Sequence, residues 1–248
     1  MDSSWWLQLQ QTALCIDPWL VGSEIDNYKW LNEQWHVTPP VAPAELSKID
    51  ALLITQSYED HCHLNTLAVL DENLPILATE KAYKRLNRVF PDRNILAIPN
   101  LPSDDWLTFG DLKLAALHPG RKLDPVYFGV IIAHGGQAIF YAPHGFVLND
   151  AQITWLKKLQ CKLLMTTFTD FQLPGIMGGK VNLGLSNAKT LAEQLQAVHV
   201  LNTHDEPKKA KGLVSRLAKV TYADLATVDF PEPAEFIPLP DYRTITIS

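Results

Sequence analysis

The sequence predicts an α+β fold in which two β-sheets pack face to face with helices on the outside. Three observations predict it. Short apolar or β-branched strand candidates crowd the N-terminal part of the chain. Strand–helix alternation then takes over and runs to the C-terminal third. A chain of 248 residues, 47% hydrophobic and 19% charged, is also long and apolar enough to bury a sizeable core without disulfides. Periodicity alone leaves a three-layer α/β arrangement open as well.

The strand candidates are Trp5–Leu9, Leu14–Ile16, Ala51–Thr55, Pro75–Ala78, Ile95–Ile98, Leu112–Leu117, Val126–Ala133, Gln137–Tyr141, Lys162–Thr166 and Val198–Asn202. Gly135-Gly136 joins two of them and suits a tight hairpin, where positive φ is required. Helix-spaced stripes fall at Leu64/Leu67/Leu70, Tyr83/Leu86/Val89, Ile153/Leu156/Leu159, Ala188/Leu191/Leu195 and Leu213/Leu217/Val220. Each is expected to be a core-facing stripe. Asn149-Asp150 supplies an N-cap for the third, and Ser186 or Asn187 for the fourth. Thr38-Pro39-Pro40-Val41-Ala42-Pro43 reads as a loop, because proline donates no backbone hydrogen bond. Pro231-Glu232-Pro233 and Pro238-Leu239-Pro240 suggest an extended tail over the domain. With no linker-like break, the expectation is one domain over residues 1–248.

Charge and composition narrow the function classes. The net charge of -6 and the dispersed basic residues argue against nucleic acid or an anionic membrane as the main partner. Lys208, Lys209 and Lys211, the densest basic group, read as a solvated turn. Three widely spaced cysteines, Cys15, Cys62 and Cys161, form no disulfide framework and fit a reducing compartment. No signal-peptide pattern and no run of eighteen apolar residues is present, so a soluble cytoplasmic protein is expected. Phosphate-loop and nucleophile-elbow patterns are absent.

The segment that carries chemistry runs Leu53-Ile54-Thr55-Gln56-Ser57-Tyr58-Glu59-Asp60-His61-Cys62-His63-Leu64. An apolar strand ends, a polar loop follows, and a helix starts; such loops hold converging side chains on a rigid scaffold. Thr55 to His61 resembles the T-H-x-H-x-D-H signature of the metallo-β-lactamase fold. Ile16-Asp17-Pro18-Trp19-Leu20 resembles an element of the branch that holds ascorbate-phosphate lactonases and N-acyl-phosphatidylethanolamine phospholipases. The likeness extends from about Trp5 to Val220. It implies a four-layer αββα sandwich of two mixed sheets flanked by helices.

Further site positions follow from the resemblance. His118, in Leu117-His118-Pro119-Gly120, matches the family's mid-chain histidine. His144, in Ala142-Pro143-His144-Gly145, stands where the family has a bridging aspartate. His204, after Val200-Leu201-Asn202-Thr203, matches its final histidine. Gln56 and Tyr58 replace the first two histidines of the signature. Amide oxygen is a poor zinc ligand, and a tyrosine must lose a proton from a pKa of about 10 before it binds well. The first metal position thus retains only His118. The second keeps Asp60, His61 and His204, with His144 beside them.

The resemblance therefore implies one divalent ion, zinc before iron or manganese, or no ion at all. It implies a small-molecule hydrolase acting on an ester, lactone or phosphoester, with Asp60 and His118 as catalytic groups. Four ligands also suit a closed structural ion, and Gln56 and Tyr58 suit a non-catalytic ligand-binding or regulatory protein on the same fold. A redox enzyme on this fold is a third reading. Blander roles stand beside these. Asp60 can be a helix cap, His118 a hydrogen-bonded strand end, and His63 a helix-surface residue. His36, His134 and His199 read as structural or exposed.

Overall fold

The computed structural model describes residues 3–26, 28–40, 48–101, 105–118, 127–239 and 244–247. In chain order the first strands are β1 (Trp5–Leu9), β2 (Thr12–Ile16), β3 (Glu24–Ile25), β4 (Glu33–His36), β5 (Ala51–Ile54), β6 (Ile76–Ala78) and β7 (Ile95–Ala97). Next come β8 (Asn100–Leu101), β9 (Leu107–Phe109), β10 (Leu112–Leu117), β11 (Gly129–His134), β12 (Gln137–Ala142) and β13 (Gln160–Thr166). The last are β14 (Asp170–Gln172), β15 (Lys180–Leu183), β16 (His199–Asn202), β17 (Lys208–Lys211), β18 (Lys219–Thr221) and β19 (Glu235–Phe236). The helices are α1 (Leu64–Val69), α2 (Glu80–Val89), α3 (Asp150–Leu156), α4 (Gly184–Leu195) and α5 (Leu213–Leu217).

Two mixed sheets form the body. One is ordered β1-β2-β5-β6-β7, the other β19-β16-β13-β12-β11-β10-β8 with β9 alongside β10. Alternation within each strand assigns its side chains to layers. On β2 and β5, Leu14, Ile16, Ala51 and Leu53 face the opposite sheet, while Cys15, Leu52 and Ile54 join Leu67, Ala82 and Leu86 of α1 and α2. On β12, Ile139 and Tyr141 face inward, while Ala138, Phe140 and Ala142 pack with Ala188 and Leu191 of α4. Helices, sheet, sheet and helices are thus stacked in the expected αββα order. Burial on both faces explains why these strands read as continuous apolar runs.

Local signals work where the chemistry is specific. Gly135 and Gly136, at φ 56° and 83°, make the β11–β12 turn. Asn149 caps α3, accepting from the Gln152 backbone while Gln152 reaches back to the Asn149 backbone.

Several expectations are corrected. Lys208, Lys209 and Lys211 lie in strand β17, paired with β4, and not in a turn. The Leu213/Leu217/Val220 stripe is not a core face. Val220 belongs to β18, and α5 contains no buried residue. His63 is buried, not on a helix surface; it caps α1 by accepting from the Thr66 backbone. The fourth helix begins earlier than Ser186, at Gly184, without a side-chain cap. The tail Ile237, Leu239, Ile245 and Ile247 packs against the inter-sheet core, as expected of a covering segment. Val126, residues 41–43 of the proline-rich loop, and Pro240 lie outside the described residues. Among the described residues, no helix is long and apolar enough to cross a membrane.

Candidate metal centre

The loop after β5 is fixed from several sides. Thr55 donates through its backbone and its hydroxyl to the Asp17 carboxylate, at 2.7 and 2.5 Å. Thr79 Oγ1 holds the Thr55 carbonyl at 2.7 Å, and Ser3 Oγ holds that of Asp60 at 2.7 Å. Arg85 bonds the Ser57 carbonyl and pairs with Glu59. These contacts leave Asp60 and His61 little freedom, which a ligand-bearing loop requires.

Two further turns bring the remaining side chains in. His144 follows β12, in a turn closed by Gly145 N to Ala142 O at 2.9 Å. Gly145 has φ 80°, and a Cβ there would stand 2.6 Å from Asn187 Oδ1 and 2.8 Å from Leu183 Cβ, so only glycine fits. His204 follows β16 in the left-handed region at φ 59°. Its neighbour Asp205 accepts from Phe168 N, Thr169 N and Thr167 Oγ1, tying this turn to the one after β13. Asp17, at the end of β2, also has positive φ, 42°. A non-glycine residue there is strained, and such strain gathers where surrounding structure fixes a functional geometry.

Asp60, His61, His144 and His204 converge, each offering one ligand atom, and these atoms all lie within 4.8 Å of one another. Asp60 Oδ2 is 3.6 Å from His61 Nε2 and 3.4 Å from His204 Nε2. His61 Nε2 and His144 Nε2 are 2.9 Å apart. The other nitrogen of each ring is already engaged. His61 Nδ1 donates to Asp17 Oδ2 at 2.8 Å, and His144 Nδ1 donates to Asn182 Oδ1 at 2.7 Å. With both protons held at Nδ1, both Nε2 atoms present lone pairs inward, facing each other. Lone pairs at that separation repel unless a cation or a proton lies between them.

Protonation agrees with a cation. Burial pushes the His144 imidazole well below its ordinary range, and the neighbouring His204 and His61 add to this. Burial acts on Asp60 in the opposite sense, but positive charge at His61, His204 and Lys208 outweighs it and holds its pKa at about 2; with those imidazoles neutral, a bound cation would supply that charge in their place. A neutral imidazole beside an ionised carboxylate is the state in which such groups bind metal. Three imidazoles and one carboxylate fit zinc, and iron or manganese by the same donor types. Cys62, next to His61, takes no part: it is buried and its thiol is pushed up to about 12, mainly by burial.

The neighbouring position of the motif is closed. Gln56 is buried, and its amide is spent on Phe128, donating to the carbonyl at 2.8 Å and accepting from the backbone N–H at 3.1 Å. The Tyr127 ring lies 4.3 Å from that of His144, and the Tyr58 ring lies beyond it at 6.2 Å, tilted by 34°. His118 stands outside the group of four. It is exposed at the end of β10, its ring edge-on to Phe128 and its carbonyl held by Gln152. That placement gives no support to the catalytic part expected of it.

Asp60, His144 and His204 open into a cleft of about 960 Å³. Lys180 and Lys208 line it, and Phe171, Val181 and Tyr222 give it an apolar wall. Sequence reading brought Asp60, His61, His144 and His204 together but gave no role to Asp17, Asn182 or Tyr127. An aspartate ending a fully apolar strand was a usable signal for Asp17; nothing local marks the other two.

Comparison with known proteins agrees with this architecture. The family described as beta-lactamase superfamily domain matches residues 12–204. A solved structure of an isothiocyanate hydrolase from Delia radicum gut bacteria superposes with TM-score 0.59 at 17% identity, covering 82% of each chain. A possible metal-dependent hydrolase from Veillonella parvula gives TM-score 0.64 at 16% identity, again over 82% of each chain. CmlA, a diiron β-hydroxylase from Streptomyces venezuelae, gives 0.58 at 15% identity over 82% of this chain and 43% of its own. These identities establish a shared fold and nothing finer. A search of curated protein sequences finds no significant match.

Proposed function

Because the chain belongs to the beta-lactamase superfamily, we propose that Asp60, His61, His144 and His204 hold one divalent ion, zinc before iron or manganese, in a hydrolase of ester, lactone or phosphoester bonds. The observation that carries this reading is the pair of inward-facing Nε2 atoms, 2.9 Å apart, beside the Asp60 carboxylate. When bound, the ion would supply Lewis acidity and bring the pKa of a water to about 7.

The chain's own groups do the rest. Asp17 and Asn182 fix which nitrogen of His61 and His144 carries the proton, and so keep the ligand lone pairs aimed inward. Asp60 stays ionised and offsets part of the cation's charge. A structural ion would be sealed by its four ligands; here three of the four residues line an open cleft, which leaves access for substrate and a fifth coordination position. Lys208 and Lys180 suit a substrate bearing negative charge, and Phe171 and Tyr222 suit its apolar remainder.

A second reading is a ligand-binding protein without turnover, favoured by the closure of the other half of the motif by Gln56. One experiment separates the two. The metal-stripped chain is reconstituted with zinc, iron or manganese and offered carboxylate ester, lactone and phosphodiester panels. Turnover that requires the ion and disappears in Asp60→Asn supports the hydrolase. Absence of turnover in every reconstituted form, with ligands still bound in the cleft, supports the binder.

A further inference from the structure

We propose that the face around the mouth of the cleft docks on an anionic lipid surface. Residues 208–219 read Lys-Lys-Ala-Lys-Gly-Leu-Val-Ser-Arg-Leu-Ala-Lys, basic at Lys208, Lys209, Lys211, Arg216 and Lys219 and with no acidic residue, in a chain of net charge -6. Net charge averages over the surface and hides this concentration, which is why it argued against a membrane partner in the sequence. The elements that carry the segment rim the cleft: Lys208 and Ala210 of β17, Val214 of α5 and Val220 of β18 line it, and alternation sets Lys209, Lys211 and Lys219 on the outward side of their strands. β17 is an edge strand beside β4, and β18 pairs with β14. Helix α5 lies between them in the chain.

The elements that rim the cleft also carry exposed apolar side chains. Leu213 and Leu217 are exposed on α5. Leu213 N bonds Trp30 O at 3.1 Å, which sets α5 beside Trp30. Trp30 is 66% exposed and stacks on the exposed Tyr28, ring centroids 5.9 Å apart. Across the cleft, Tyr222 follows β18, and Ile176, 98% exposed, tips the hairpin between β14 and β15. The acidic residue nearest this segment on β4, Glu33, is already paired with Lys29 at 3.6 Å.

Tryptophan and tyrosine at the margin, leucine and isoleucine projecting, and lysine and arginine interleaved make the composition of a segment that lies in a lipid interface. The aliphatic members argue against a nucleic acid, since Ile176, Leu213 and Leu217 have no ring for a base to stack on. A second copy of the chain fits poorly as well. A two-fold contact through this face would set its basic residues against their own duplicates. The proposal does not depend on the metal reading.

Sedimentation of the full chain with phosphatidylcholine vesicles, with and without phosphatidylglycerol, tests it. The chain should partition onto the vesicles that contain phosphatidylglycerol and release as salt is raised. Lys209→Glu with Lys219→Glu should weaken partitioning on the order of tenfold or more. Leu213→Ser with Leu217→Ser should weaken it at constant charge. The lysine variant should melt with the wild type, because both side chains are exposed, and the leucine variant should stay folded but melt a few degrees lower, because Leu213 and Leu217 are 38% and 41% exposed. Three results would overturn the proposal: no partitioning onto either vesicle, tighter retention of single-stranded RNA than of the anionic vesicles, or a wild-type dimer that the double serine variant dissolves.

Discussion

Gln56 and His61 sit on one loop, both fully buried, and do opposite things. Every hydrogen-bonding group that Gln56 points inward is consumed by the Phe128 backbone. His61 is consumed on one side only: Asp17 takes Nδ1–H and leaves Nε2 facing three other potential ligands. A buried polar group must be satisfied, but what satisfies it decides its use. A partner that accounts for both ends of a side chain makes a plug. One that accounts for a single end makes a presented ligand. The same contrast separates His118, turned onto Phe128 at an exposed strand end, from His144, held by Asn182 and aimed into the cluster.

The comparison can be broken most forcefully at the presented ligands. Asp60→Asn or His204→Asn should take metal content from about one ion per chain to trace levels, read by elemental analysis after gel filtration. Asparagine at position 204 tolerates the positive φ, so the fold should survive. Unchanged metal content in both variants would place the ion elsewhere.

Asp17→Asn acts one layer out and should weaken metal affinity by about 10- to 100-fold, measured by competition with a chelating dye. The mechanism is loss of the charged acceptor that holds the His61 proton at Nδ1. Asn182→Ala should act in the same direction toward the lower end, about 10-fold, because the acceptor it removes from His144 is neutral.

Acid should expose the same asymmetry in metal-free protein. His144 in the folded chain lies well below the ordinary imidazole value, so between the two the unfolded chain binds more protons. Its contribution to stability is therefore present above about pH 6.5 and is lost progressively as pH falls from there toward the folded value. Asp60, folded at about 2, adds a second loss as pH drops below about 4. Thermal melts across this range should fall toward acid, and His144→Gln should flatten the upper part of the fall.

The smallest effect is expected where the contrast is sharpest. Restoring the motif with Gln56→His and Tyr58→His should leave the metal content unchanged. Histidine at position 56 cannot reproduce the two-way amide contact with Phe128, and Tyr127 still covers His144. A second bound ion in that variant would mean that the closed half of the loop is only a substituted site.

Legibility followed the strength of local signals. Doubly buried strands such as β5 and β12 announced themselves as apolar runs, and the Asn149 cap and Gly135-Gly136 turn were specific enough to read directly. The missed strands have two to four residues, and β3, β8, β17 and β19 among them lie at edges, with too few positions for a period to show. Helix α5 misled because leucine spacing reports amphipathicity, not what the apolar side meets. At the site, ligands were legible because their types are chemically restricted. Asn182, on β15 far along the chain, was not, since any acceptor at that point in space would serve His144.

Everything turns on whether four side chains from three separate turns share a cation. Elemental analysis of the chain, purified without a metal-binding tag, answers that most directly. Stoichiometric zinc, iron or manganese, lost on chelation and regained on one titrated equivalent, is the predicted result. Folded protein that contains only traces and takes up none would contradict it.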